Sequence, residues 1–360
     1  MRVLPGVDCA VATTVGLVRE ENQDRGVVAR GQFLHRKRTS FLLLAIADGM
    51  GGMKAGGECA TQTLSYLLEA LIGSSELSLE SCLRTAIHVA NEAIYAHFRG
   101  EGGATLSALL LEQATGQMVI ANIGDSRIYR FSPTKASSVE QLTVDDTLAA
   151  RVPQFEGAPK YEHHPEKNRL IQFLGIGPDL QPNVLRLDGA NQRVGYLLTT
   201  DGAHGHGNVL LSEIVANAAS AEEAAERLIA LSDWTGGPDN STVICAFPRT
   251  LERFLAAKSQ RTSILTLWTP STQCEFVGVN SFPFRHEVRQ RDSSLMNSRG
   301  NRNEPTVPAD RSQTAKGRGT RRPPRKSKKQ PPNLLSKPDE ESEKEQMKIR
   351  FLPNYREDAK

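Results

Sequence analysis

The sequence predicts an α+β layered domain, and three observations carry that reading. Two amphipathic segments follow one another at 55–71 and 79–98, each with apolar residues at helical spacing. The strand-like runs 104–111, 118–123 and 127–131 are joined by links of a few residues. Such links make antiparallel neighbours, because a parallel return needs a crossover of a dozen residues or more. A last strand, S-T-V-I-C-A-F at 241–247, comes after another helical segment. Antiparallel strands toward both ends with paired helices between them describe layers and exclude a doubly wound parallel sheet.

Taken in order, F-L-L-L-A-I-A at 41–47 reads as a buried strand that delivers Asp48 to its mouth. The glycines of A-D-G-M-G-G-M-K-A-G-G then let the backbone turn tightly. They fit neither nucleotide motif: G-x-G-x-x-G fails at Lys54, and a P-loop fails because Glu58 and Cys59 follow Gly57. At this level Asp48 is either a turn acid or a ligand. The helix at 55–71 presents Ala60, Leu64, Leu67, Leu68 and Leu71; that at 79–98 presents Leu83, Ala86, Ala90 and Ile94. A further helix opens at Ser220, where Glu223 completes a capping box. In 249–300 the run I-L-T-L-W-T reads as a strand with no evident partner, so this region is an uncertain linker or extension.

Residues 301–360 hold 16 Lys or Arg against 9 Asp or Glu, while residues 1–300 hold 28 against 32. A mildly acidic body therefore carries a basic tail, and the tail's scarcity of apolar anchors predicts disorder. Its block R-R-P-P-R-K-S-K-K at 321–329 suits contact with anionic surfaces. It lacks the interleaved aromatics of a nucleic-acid stacking platform, since none appears in the tail before Phe351 and Tyr355. The five cysteines form no C-x-x-C pair, and none begins the C-x₅-R loop of a cysteine-dependent phosphatase. An odd count without pairs fits a reduced, cytoplasmic setting. No apolar run is long enough to span a membrane.

Five acids stand at turns beside strands: Asp24, Asp48, Asp125, Asp201 and Asp239. Each alone is ordinary turn chemistry. Together they match what hard divalent cations take, a few carboxylates from several loops with water completing the shell. The wording around them, in order, is G-L-V-R-E-E-N-Q-D, A-D-G-M-G-G, G-G-A-T, A-N-I-G-D-S-R-I-Y, Q-L-T-V-D-D-T, T-D-G and G-G-P-D-N-S-T-V. These seven motifs cover about residues 8–248, and with them the chain resembles the metal-dependent protein phosphatases (PPM, or type 2C), especially the compact bacterial members.

The resemblance implies a four-layer αββα sandwich of two antiparallel sheets flanked by helix pairs, with a phosphatase domain at 1–248. It implies a protein serine/threonine phosphatase that uses two Mn²⁺ or Mg²⁺ ions, with a third in some members. Asp48 would bridge both cations, Gly49 would lend its carbonyl, and Asp24 would bind the second. Asp201 and Asp239 would complete the first, and Asp125 would serve the weaker third site. Arg19 would hold the phosphate, a task suited to a forked guanidinium. Phosphate monoesters resist hydrolysis so strongly that both an activated water and charge neutralisation are needed, and two metals with a bridging hydroxide supply both. The implied partners are proteins phosphorylated on serine or threonine, and an opposing kinase.

Three departures accompany the match: Gln23 and Thr14 stand where the family often has acids, and Met50 where many eukaryotic members have a histidine. His204 and His206 follow Asp201, and His163 and His164 lie in a flap-like segment. Solvated loop histidines are the bland reading of both pairs. The rival from another class is a pseudophosphatase that binds without turnover, against which stands the presence of Arg19 and all four metal aspartates.

Overall fold

The structure, a computed structural model, describes residues 1–4, 8–32, 40–50, 55–74, 78–133, 139–151, 166–187, 193–258, 262–277 and 348–351. In chain order the first elements are β1 (Arg2–Val3), β2 (Cys9–Thr14), β3 (Asp24–Gln32), β4 (Ser40–Asp48), α1 (Gly56–Gly73) and α2 (Leu79–Phe98). Next come β5 (Leu106–Glu112), β6 (Met118–Ile123), β7 (Arg127–Phe131), β8 (Glu140–Gln141), α3 (Leu148–Arg151), β9 (Asn183–Leu187) and β10 (Gly195–Thr199). The last are α4 (Asp201–His204), α5 (Asn208–Asn217), α6 (Ala221–Trp234), β11 (Ser241–Ala246), α7 (Pro248–Ala256), β12 (Ile264–Trp268), β13 (Gln273–Val277) and β14 (Lys348–Phe351).

The strands form two sheets, one ordered β1-β2-β11-β10-β7-β8 and the other β14-β13-β12-β3-β4-β5-β6-β9. Every pairing between these strands is antiparallel. Successive side chains of a strand point to opposite faces, so a strand buried on both sides reads as a continuous apolar run. β4 shows this directly. Leu43, Ala45 and Ala47 join the cluster containing Leu64 and Leu67 of α1 and Leu83, Ile87 and Ala90 of α2. Leu42, Leu44 and Ile46 join Val11, Tyr196, Leu198 and Ile244 of the facing sheet. A third cluster packs Leu211 and Val215 of α5 and Ala224, Ala225 and Leu228 of α6 on the outer face of that sheet. Helices, sheet, sheet, helices is the αββα order that the resemblance implied.

Local signals placed three helices, α1, α2 and α6. Ser78 caps α2 by accepting from the Ser81 amide at 3.0 Å, and Ser220 caps α6 by accepting from the Glu223 amide at 3.2 Å. The Glu223 carboxylate returns to the Ala219 amide at 2.6 Å, so the capping-box reading holds with its second bond one residue earlier.

The ordered body extends past the last of the seven motifs. The body does not stop at 248. α7 sends Leu251 and Phe254 into the core between the sheets, and β12 pairs with β3 along its whole length, Ile264 against Gln32 through Trp268 against Val28. The run I-L-T-L-W-T thus has a partner far away in the chain, Ile264 against Gln32 at one end and Trp268 against Val28 at the other, which no local signal could reveal. Within 301–360, Lys348–Phe351 is a short strand at the sheet edge beside β13. The rest of 301–360, including the basic block at 321–329, lies outside the described residues.

Candidate metal centre

Strand parity fixes where Asp48 points. Leu42, Leu44 and Ile46 face the second sheet, so Asp48, two further on, belongs to the same face at the strand's end. Asp24 opens β3 directly opposite Asp48 in the β3–β4 ladder and shares that face. The backbone around Asp48 is bolted down. Its amide donates to Thr105 Oγ1 at 3.0 Å, and its carbonyl accepts from the Thr105 amide at 2.8 Å. Thr105 in turn bonds Ser126 Oγ at 2.7 Å, which ties the Asp48 and Asp125 segments together. Gly49 is required here by contact: a Cβ would lie 2.1 Å from the Gly56 carbonyl oxygen. Gly49 and Gly56 therefore let the chain close tightly beside Asp48.

The other acids arrive from the second sheet. Asp201 stands at the start of α4 just beyond β10, and Asp239 precedes β11. Asn240 organises this side. Its amide group donates to the carbonyls of Val15 and Glu21 at 2.9 and 3.0 Å, and its side-chain oxygen accepts from the Gln23 amide at 2.8 Å. One residue thereby clasps both ends of the loop that carries Arg19. Gly16 allows the same approach, since a Cβ on it would sit 2.4 Å from the Asp239 carbonyl oxygen. Arg19 itself, about half exposed, donates to Asp239 Oδ2 at 2.6 Å.

These elements enclose a cavity of about 540 Å³ lined by Asp48, Gly49, Asp125, Asp201, Asp239 and Arg19. Six of the seven residues assigned from sequence meet there. Asp24 does not line it. It stands behind Asp48, 3% exposed, with Oδ2 accepting from Thr200 Oγ1 at 2.7 Å, and it borders a second cavity of about 410 Å³. Gln23 and Met50, two of the departures, do line the main cavity. Thr14, the third, bonds Asp233 at 3.2 Å and accepts from the Gly16 amide, so it braces the Arg19 loop.

Crowding of buried acids dominates the electrostatics. Burial, then repulsion from Asp24 and Asp201, pushes the Asp48 carboxyl well above the usual range. Burial also lifts Asp24 to about 7 against the opposing Thr200 and Thr242 hydrogen bonds, and lifts Asp125 to about 7 with added repulsion from Asp201. Asp201 is raised by burial and then by Asp239. Burial of carboxylates without matching cations is costly. Asp24 Oδ1 and Asp201 Oδ1 are moreover buried with no hydrogen-bond partner. Among the described residues no three His, Cys, Asp or Glu side chains close on one point as a complete cage. The donors are all oxygens, unpartnered in part and spread around an open cavity. They fit hard cations that keep part of their water shell.

The histidines take no part among the described residues. His204 is buried, bonds Thr199 Oγ1 at 2.9 Å, and is pushed down to about 3 chiefly by burial, so it is a neutral core residue. His206 meets Thr235 Oγ1 at 3.1 Å. Neither lines the cavity. His163 and His164 lie outside the described residues. Sequence reasoning passed over Asn240, Thr105, Ser126, Thr200, Asn168 and Arg169. All but the last two sit inside or next to the quoted motifs, where the signal was available; Asn168 and Arg169 had none.

No family model matches the chain. It is 34% identical over 246 residues to the serine/threonine protein phosphatase PstP of Mycobacterium tuberculosis, and the match covers 64% of this chain and 43% of that protein. The chain thus spans less than half the length of that relative. It is 28% identical over 266 residues to the serine/threonine phosphatase stp of Listeria monocytogenes, covering 70% of this chain and 98% of that one. Among solved structures, the PPM Ser-Thr phosphatase MsPP of Mycobacterium smegmatis aligns with a TM-score of 0.53 at 29% identity, over 66% of this chain and 97% of that one. The PstP catalytic domain solved with two manganese ions aligns with a TM-score of 0.52 at 28% identity, over 66% and 96% of the two chains. Seven motifs in order, the two-sheet sandwich and these alignments agree in one respect: the chain is similar to PPM, or type 2C, serine/threonine phosphatases.

Proposed function

We propose that this chain is a protein serine/threonine phosphatase that requires Mn²⁺ or Mg²⁺. The observation that carries the reading is the meeting of Arg19 with four buried or half-buried aspartates on one cavity, with Asp201 Oδ1 among them and Asp24 Oδ1 next to Asp48 lacking partners. Asp48, Asp201 and Asp239 with the Gly49 carbonyl would hold the cation pair, Asp24 would support it from behind Asp48, and Asp125 would serve a weaker third position. When bound, the cations activate a water for in-line attack and neutralise the phosphate.

The chain's own residues do the rest. Asp48 supplies negative charge where two cations would otherwise repel each other. Arg19, held near the cavity by the Asn240 clasp, offers its guanidinium to the phosphate oxygens and is already bonded to Asp239. A phosphate oxygen reaching Arg19 would compete with that carboxylate for the guanidinium, and Asp239 is one of the residues that would hold a cation. Met50 carries no proton to give, so protonation of the leaving serine or threonine falls to water. The substrates are proteins bearing phosphoserine or phosphothreonine, set by an opposing kinase. A reduced cytoplasm suits the five cysteines, none of which is paired.

The test is hydrolysis of p-nitrophenyl phosphate and a phosphothreonine peptide by the full chain, with Mn²⁺, with Mg²⁺ and with EDTA. Turnover that needs either cation and stops in EDTA supports the reading. Activity undiminished in EDTA overturns it, and binding of phosphopeptide without turnover in either cation establishes the pseudophosphatase.

A further inference from the structure

Arg169 lines the same cavity as Arg19, and nothing in the reaction described above uses it. The turn that carries it is built into the centre. The Leu148 amide donates to the Arg169 carbonyl at 2.9 Å, the Ala149 amide to the Lys167 carbonyl at 3.0 Å, and the Ile171 amide to the Asp146 carbonyl at 2.8 Å. Asp146 is fully buried. Its carboxylate accepts from Arg151 at 2.6 Å and from the Gly124 amide at 3.0 Å, and its own amide donates to the Gly124 carbonyl at 2.8 Å. Gly124 immediately precedes Asp125. The chain of bonds from the Arg169 turn to Asp146 to Gly124 therefore fixes the backbone of Arg169 relative to the aspartate cluster.

The side chain, by contrast, is free to exchange its partner. Arg169 pairs with Glu166 at 3.1 Å, three residues back, and both are more than half exposed. A solvated pair of this kind holds weakly, so an anion arriving in the cavity displaces Glu166 at little cost. Arg19 is committed to the reacting phosphate and to Asp239, whereas Arg169 has no such commitment. Charge makes the case sharper. Cations at the centre would offset Asp48, Asp125, Asp201 and Asp239; the remaining lining acids, Glu20 and Glu21, follow Arg19 in its own loop, while Arg169 stands as fixed positive charge on a wall that also carries the amide donor Asn168.

We propose that Arg169, supported by Asn168, forms a second anion subsite that selects phosphoproteins with another negative group close to the phosphoresidue being hydrolysed. That group is a carboxylate side chain or a second phosphate, since a guanidinium engages both by the same forked geometry. The inference rests on the phosphatase reading of the cavity.

The experiment compares kcat/KM of the full chain for three sets of phosphothreonine peptides. One has alanines flanking the phosphoresidue, one has glutamate walked from three residues before it to three after, and one has phosphoserine walked likewise. Wild type, Arg169→Ala and Arg169→Glu are assayed at low and at 0.5 M salt. The readout is the ratio of anionic to neutral peptide on a single preparation, which divides out any change in basal turnover or folding. We expect wild type to favour an anionic residue at one or two positions by about 5- to 10-fold at low salt, less at high salt. Arg169→Ala should bring the ratio near one and Arg169→Glu should invert it. A larger ratio for phosphoserine than for glutamate at those positions assigns the subsite to a second phosphate, and equal ratios assign it to either anion. A wild-type ratio of one at every position, or a preference that survives Arg169→Glu, overturns the subsite. Wild-type enzyme that hydrolyses no peptide and no p-nitrophenyl phosphate overturns the phosphatase reading instead.

Discussion

In the proposed reading the chemistry turns on Asp48 and Arg19, and the structure separates what each would cost to lose. Asp48 has its carboxyl driven upward by burial and by Asp24 and Asp201, so Asp48→Asn removes a charge that the metal-free fold tolerates poorly. The variant should keep wild-type circular dichroism, bind less Mn²⁺ per chain and lose turnover. Wild-type hydrolysis by a folded, metal-depleted Asp48→Asn would refute the bridging role. Arg19→Ala should raise KM for phosphopeptide and lower kcat/KM by roughly tenfold, near the lower end of the 1.5 to 3 kcal/mol that a charge-assisted hydrogen bond contributes, because the side chain is half exposed. Since Arg19 holds Asp239 at 2.6 Å, its removal also takes a positive charge from beside a candidate ligand. Mn²⁺ affinity measured by calorimetry should stay level or tighten, and a weakened affinity would show that Arg19 builds the site. Asp48, Asp201 and Asp239 were legible because turn chemistry and motif wording coincide at each. Arg169 was not, because nothing near it in the chain marks a position that Asp146, twenty-three residues earlier, holds in place.

Among the elements, those with a strong local pattern were visible and those defined by distant partners were not. α2 could be read from its periodicity to the residue, and β4 from its apolar run. β2 is short and ends in the polar pair Thr13–Thr14. Its place is set by pairing with β11, from Cys9 against Ala246 to Thr14 against Ser241, which has no local trace. β12 was seen as a strand but left without a partner for the same reason. Its position predicts that residues 1–248 are not a sufficient domain. Ending the chain there removes Leu251, Phe254, Leu265 and Trp268 from the core and bares the edge of β3. Four such side chains together contribute on the order of 6 to 12 kcal/mol, comparable to the whole net stability of a domain. The truncation 1–248 should therefore aggregate or unfold on purification, while 1–277 should give a cooperative thermal transition. A soluble 1–248 with a Tm within a few degrees of 1–277 would show that α7 and β12 are dispensable.

For the whole molecule the acidic centre ties stability to pH and to metal. Asp24 and Asp125 are each lifted to about 7 without cations, and Asp48 and Asp201 are also raised, all with burial as the first cause. In the unfolded chain these groups titrate near 4. The folded, metal-free protein therefore binds more protons than the unfolded chain between about pH 4 and 7, and its stability falls as pH rises through that window. Below pH 4 both states are protonated and the contribution is complete; above about 7 it has gone. Divalent cations bound as proposed would reverse the sign, since binding to the ionised carboxylates of the native state stabilises it by mass action. Thermal melts of the full chain in EDTA should show Tm dropping by roughly 5 to 10 °C between pH 5.5 and 8, given about 2 to 4 °C per kcal/mol in a body of this size. The same series in millimolar Mn²⁺ should lose that drop, so that the gap between the two curves widens as pH rises. Asp48→Asn in EDTA should show a shallower fall than wild type, because one of the repelling charges is absent at every pH. Parallel curves with and without Mn²⁺ would mean that the buried acids are neutralised by something other than bound cations, and the centre would then have to be reassigned.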